Sequence, residues 1–163
     1  MPKPHYEFRK VTRGDYAMLR RWLAEPHIKG WWGTPDEELA LIEQDIDTGP
    51  TDMRIVSLDG RPFAFVQDYP AQHWPMPHYV DFPSDTRAID TFLGDPAFLG
   101  KGHASGYLRQ RAFELLAAYP KVVIDPSADN VRAVRAYRAA GFIGEKIVPC
   151  EDGEPVVVME FNG

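Results

Sequence analysis

Apolar and polar positions alternate along this chain in short blocks, and each block predicts an element. His5-Tyr6-Glu7-Phe8-Arg9-Lys10-Val11 reads as a first strand. Thr12, with Asp15 three residues on, predicts a helix start. Tyr16, Leu19, Trp22 and Leu23 then give one apolar helical face, which Pro26 and Gly30 bring to an end. A second helix opens at Thr34-Pro35-Asp36-Glu37: an N-cap, a proline at the first helical position, a capping-box acid. Its buried stripe is Leu39, Ile42 and Ile46. Met53 to Leu58 and Pro62 to Tyr69 predict two strands joined by the hairpin turn Asp59-Gly60.

From Pro70 to Ser84 four prolines interleave with His73, Trp74, His78, Tyr79 and Phe82, a pattern too long for a mere connector that reads as a functional loop or lid. Arg87 to Leu93 is strand-like and leads through Gly94-Asp95-Pro96 into a glycine-containing loop. A helix over Ser105 to Tyr119 turns Leu108, Ala112, Leu115 and Leu116 inward until Pro120 stops it. Lys121 to Asp125 is a short buried strand, and Asp129 or Asn130 caps a helix that runs to Ala140 and ends at Gly141. Phe142 to Val148 and Pro155 to Phe161 predict a closing hairpin around Glu151-Asp152-Gly153. The order is one strand, two helices, an antiparallel run, a βαβα half and a hairpin. That is a mixed α/β sheet, mostly antiparallel in its N-terminal half, in a single domain over 1–163.

Composition narrows the partners. A net charge of −6 argues against nucleic acid and suits a cationic ligand, although acidity of this size also keeps a protein in solution. No apolar run approaches a membrane span or a signal peptide, so the expectation is a cytoplasmic protein without a membrane partner. The one cysteine, Cys150, excludes an internal disulfide and a multi-cysteine metal cage. His73 and His78 lack an accompanying ligand pattern and read as surface histidines, so no metal is expected. Adjacent Trp31 and Trp32 in a loop cannot both face one core; an exposed ring there makes a platform for a sugar or a cation, and a seal between helices is the competing reading.

The candidate chemistry lies in residues 86–105. Small residues at Gly100, Gly102 and Ala104 open a helix, where converging amides and the helix dipole favour an anionic diphosphate. A P-loop fails on spacing and on Gly102 in place of a metal-binding hydroxyl. A dinucleotide fingerprint is nearly met by Gly100, Gly102 and Ser105, with Asp125 ending the next strand, but the preceding strands read as hairpins. It stays as an alternative.

Leu99-Gly100-Lys101-Gly102-His103-Ala104, together with Asn130-x-x-Ala133-x-x-x-Tyr137-x-x-x-Gly141-Phe142, resembles the two half-signatures of the GCN5-related N-acetyltransferases. Leu99 departs from that family's glutamine or arginine. Trp31-Trp32-Gly33, Gln67-Asp68-Tyr69, Ala88-Ile89-Asp90, Asp125-Pro126-Ser127 and Asp152-Gly153 resemble, in order and spacing, the aminoglycoside 6′-N-acetyltransferases within it. Related acyltransferases of siderophore assembly share parts of the pattern.

The resemblance implies the acyl-CoA N-acyltransferase fold and transfer of an acetyl group from acetyl-CoA, as co-substrate, to an amine of a polycationic small molecule, the activity of antibiotic-resistance enzymes. It implies Asp90 as general base or amine-positioning group and Tyr137 as hydrogen-bond donor to the departing sulfur. Phe92 and Leu93 would hold the pantetheine arm or thioester oxygen through their amides. Leu99, Gly100, Lys101, Gly102, His103 and Ala104 would line the pyrophosphate, with Asn130, Ala133 and Tyr137 completing the cofactor side. Trp31, Trp32, Gln67, Tyr69, Asp90, Asp125 and Asp152 would meet the substrate, with Asp68 and the acids near Asp36 adding to an anionic wall. An acyltransferase for a polyamine, peptide or siderophore amine, and an acyl-CoA-binding module without turnover, stay open. The expected assembly is a monomer or homodimer.

Overall fold

A computed structural model describes residues 3–163. In chain order its elements are β1 (Glu7–Lys10), α1 (Tyr16–Leu23), α2 (Pro35–Asp45), β2 (Asp52–Leu58), β3 (Arg61–Pro70), β4 (Arg87–Leu93), α3 (His103–Leu116), β5 (Val122–Ile124), α4 (Val131–Ala140), β6 (Phe142–Ile143), β7 (Ile147–Pro149), β8 (Pro155–Val157) and β9 (Met159–Phe161). Seven strands form one sheet in the order β1-β2-β3-β4-β5-β9-β6, and β7 pairs with β8 apart from it. The predicted mixed α/β architecture is the one observed. No helix among the described residues is long and apolar enough to cross a membrane.

Two compact units arise. One runs to Gln67 and resumes over Thr91–Lys101; the other comprises Asp68–Asp90 and Gly102–Gly163. In the first, β1 pairs antiparallel with β2, Phe8 opposite Val56. The helix stripes predicted from spacing pack on this pair: Leu19, Trp22, Leu23, Leu39 and Ile42 join Met53, Ile55, Phe65 and Phe92 in one buried cluster. Asp59 (φ 51) and Gly60 (φ 78) both turn left-handed, as a two-residue hairpin of this twist requires. Thr34 caps α2 by accepting from the Glu37 N–H at 3.2 Å, with Pro35 at the helix start.

In the second unit β4 and β5 are parallel, with Arg87 opposite Val122, Ala88 opposite Val123 and Ile89 opposite Ile124. β5 pairs antiparallel with β9, and β9 with β6. The predicted closing hairpin is split in two. Gly144 presses so closely on the next stretch that a Cβ there would lie 2.1 Å from the Val158 carbonyl oxygen. The chain bends at that point, so β6 joins the main sheet through β9 while β7 and β8 form their own ribbon.

Candidate active site

Strand pleating sorts the second unit's side chains onto two faces. On β4, Arg87 and Ile89 point one way and Ala88 and Asp90 the other. On β5, Val123 shares a side with Ala88, and one more step of the same parallel register brings Asp90, midway along β4, level with Asp125, just past the end of β5. Tyr69, Ala71, Tyr79, Ala88 and Val123 form a buried cluster on this side, with Met76 and Phe82 packed against it from the 70–86 loop. Two carboxylates thus lie at the edge of an aromatic floor.

The segment after β5 is held firmly. Pro126 accepts from the Val157 N–H at 2.9 Å, Ala128 donates to the Pro155 carbonyl at 3.0 Å, and Ser127 bridges to Val156. These bonds fix Asp125 relative to the β7–β8 ribbon, whose exposed turn carries Glu151 and Asp152. Trp74 leans edge-on against Tyr69, ring centroids 5.4 Å apart, and is exposed on its other side.

The phenols report the negative field. Burial pushes the Tyr69 hydroxyl well above its ordinary pKa, and the charges of Asp90 and Asp125 push it further, with a hydrogen bond to Asp90. Tyr79 is raised in the same way, by burial first and then by Asp125. Tyr137, on α4, is raised by burial, then by Tyr107, Asp90 and Asp125. All three are therefore neutral phenols able to donate a hydrogen bond.

Asn130 caps α4, its side-chain oxygen accepting from the Ala133 N–H at 3.2 Å, and Gly141 ends the helix in a left-handed turn (φ 115). The predicted Asn130, Ala133 and Tyr137 therefore sit on the first two turns of one helix. Gly102, Ala104 and His103 open α3, with Gly102 as left-handed N-cap (φ 80). In the first unit Gly100 is also left-handed (φ 73), and a Cβ at either glycine would meet no atom within 4 Å. Lys101 is exposed and Leu99 half-buried. Phe92 and Leu93 lie beyond the pairing of β4 with β5; the Leu93 carbonyl is bonded to His27 Nε2 at 2.8 Å. Gln67 is half-buried on β3. Trp31 is 49% exposed, whereas Trp32 packs edge-on against Phe65 and Phe92 at 6.3 and 4.9 Å. One tryptophan faces water and the other faces core, so the pair does not share one core and Trp32 is the ring that seals it.

Residues 11–150 match the model of the acetyltransferase (GNAT) domain. The chain belongs to the GNAT acetyltransferase family. Over 93% of its length it is 31% identical to an aminoglycoside N(6′)-acetyltransferase type 1 of Klebsiella pneumoniae, covering 81% of that protein. It is 28% identical to an N-hydroxyputrescine acetyltransferase of Acinetobacter baumannii, over 79% of this chain and 66% of the relative. Its fold superposes on AAC(6′)-Ib solved with paromomycin and acetyl-CoA at a TM-score of 0.80 and 30% identity, covering 96% of this chain and 93% of that one.

Within this GNAT domain two expectations are corrected. Asp68 is no part of a ligand-facing wall: it is 2% exposed and paired with Arg87 and Arg111 at 2.6 and 3.0 Å. His78 is no surface histidine. Its side chain is fully buried, and Nε2 lies 2.7 Å from Asp125 Oδ2. Of the acids near Asp36, Asp36 itself is exposed and paired with Arg20 at 2.5 Å. Cys150, Glu151 and Asp152 offer three ligand atoms within 4.8 Å of one another, but two of the three residues are exposed, and exposed acids commonly cluster without an ion.

Proposed function

We propose that this protein transfers the acetyl group of acetyl-CoA to the 6′-amine of an aminoglycoside by direct attack, with both substrates bound together. The observation that carries this reading is the placing of Asp90, on β4, level with Asp125, just past β5, beside the floor of Tyr69 and Tyr79, in a chain of this family. Two carboxylates on an aromatic floor suit a molecule with several ammonium groups and apolar sugar faces.

Asp90 receives the ammonium of the reacting amine and, through water, takes one proton. The neutral nitrogen attacks the thioester carbon, and the carbonyl oxygen becomes an oxyanion that the Phe92 and Leu93 amides stabilise. As the tetrahedral centre collapses, the carbon–sulfur bond breaks, Tyr137 passes a proton to the leaving thiolate, and the second proton of the attacking nitrogen returns through water to the Tyr137 oxygen. Burial and nearby carboxylates keep this phenol neutral, so its hydroxyl has a hydrogen to direct at the sulfur. The left-handed glycines Gly100 and Gly102 at the start of α3 support a pyrophosphate-wrapping role for Leu99 to Ala104. Asn130 both caps α4 and, through its free amide hydrogens, faces the cofactor with Ala133 and Tyr137 in this reading. Asp125, Asp152, Gln67, Tyr69, Trp31 and Trp32 contact the acceptor. The protein acts as a single catalytic domain, monomeric or homodimeric, in the cytoplasm.

The test is thiol release from acetyl-CoA with kanamycin, tobramycin, spermidine and no acceptor in parallel. Release with the aminoglycosides supports the reading. Release with spermidine alone assigns the same chemistry to a different amine, as in the 28%-identical N-hydroxyputrescine acetyltransferase.

A further inference from the structure

His78 comes from the proline-rich loop, yet its side chain is wholly buried and its ring lies 4.2 Å from that of Tyr79. Nε2 is 2.7 Å from Asp125 Oδ2. A carboxylate only accepts, so Nε2 carries the hydrogen and, in the neutral ring, Nδ1 presents a bare lone pair. That nitrogen is buried and has no hydrogen-bond partner among the described residues. The Glu151 carboxylate stands 3.9 Å from it, too far for a bond.

Two acceptors facing each other at this separation do not satisfy one another. A group bearing two or more N–H hydrogens satisfies both, and a primary ammonium set to one side of the line joining them, about 2.8 Å from each atom, would do so. The two walls differ in exposure: His78 is held by Asp125 and Tyr79, whereas the Glu151 side chain is 43% exposed on the β7–β8 turn, where a ligand would approach. The ring also reads a hydrogen donor without placing a third negative charge against Asp125.

We propose that His78 Nδ1 and the Glu151 carboxylate together bind one ammonium group of the acceptor, distinct from the amine that is acetylated, so that His78 determines acceptor specificity. This rests on the reading of the protein as an aminoglycoside acetyltransferase.

Three variants separate this role from simple anchoring of the loop. H78Q places an amide N–H where Nε2 stands and keeps the Asp125 bond, but has no acceptor at the Nδ1 position. H78N places a carbonyl oxygen there and gives up the Asp125 bond. E151Q keeps the shape and removes the charge. Thermal melting of each variant first establishes that it is folded. Steady-state kinetics with kanamycin then give the expected result: H78Q and E151Q raise the KM for kanamycin about tenfold with the KM for acetyl-CoA unchanged, and H78N recovers most of that loss. The reverse order, H78Q like wild type and H78N impaired, makes His78 a loop anchor and overturns the proposal. Indifference of H78Q and E151Q overturns it as well. If the wild type acetylates no aminoglycoside, the functional reading fails and this subsite falls with it; wild-type turnover beside an unaffected H78Q overturns the subsite alone.

Discussion

Arg87 donates from Nε to Asp68 Oδ2 at 2.6 Å, and both side chains are almost entirely removed from water. The same carboxylate accepts from Arg111 on α3 at 3.0 Å, and Arg87 also donates to the Asp68 carbonyl at 3.2 Å. One buried acid thus fastens β3, β4 and α3. Removing one partner of such a pair leaves guanidinium charge uncompensated in a poor solvent. D68N is therefore expected to cost about 3–5 kcal/mol of unfolding free energy. Urea denaturation measures this, and a variant as stable as the wild type contradicts it.

Asp90 faces the opposite side of the sheet from Arg87, three positions along β4, where it is hydrogen-bonded to Tyr69. D90N keeps the shape and the capacity to bond Tyr69 but cannot accept a proton from an ammonium. The expected loss in kcat is on the order of 10²–10⁴, the usual range for a general base. Acetyl-CoA binding, followed by calorimetry, stays near wild type. A variant with wild-type kcat assigns Asp90 to structure instead.

In the proposed mechanism Tyr137 is the group offered to the leaving sulfur. Y137F removes one oxygen from α4 and leaves the helix cap at Asn130 intact. We expect kcat to fall on the order of 10²-fold with little change in melting temperature. A drop in melting temperature that accounts for the whole activity loss makes Tyr137 a packing residue.

How far the sequence disclosed this molecule depended on the range of each interaction. Thr34-Pro35-Glu37, Asp59-Gly60 and Asn130-Ala133 act over two to four residues, and the structure has each where the local pattern puts it. The glycine loop and its strand likewise carry their meaning in adjacent residues. His78 was hidden because its partner Asp125 lies 47 residues away, and a histidine among prolines carries no local sign of burial. Asp68 did carry a sign. It continues the alternation Ala64, Val66 on β3, which directs it to the face opposite Tyr69, and Arg87 repeats that phase on β4. Grouping Asp68 with the ligand-facing acids ignored the pleat. The split of the last hairpin turned on the Gly144 approach to Val158, a backbone contact that no side-chain pattern encodes.

A last prediction concerns Asp15, where the charge effect has a defined sign. Its two oxygens accept from Arg9 at 2.7 and 2.8 Å, and one also accepts from the Thr12 N–H at 2.9 Å. The Arg9 bonds come first in holding this carboxyl below its ordinary value of 3.8. The folded protein therefore keeps Asp15 ionised at pH values where the unfolded chain has already protonated it. The stabilisation is complete above the unfolded value and is lost as pH falls through the lower folded one. D15N lacks the charge at every pH. It is expected to be about 1–2 kcal/mol less stable than wild type at pH 7, Arg9 being half-exposed to solvent. Urea denaturation at pH 7 and again well below 3.8 tests the sign. The gap between the two proteins narrows on acidification if Asp15 acts through its charge, and a gap that stays constant assigns its effect to the shape of the turn at Thr12.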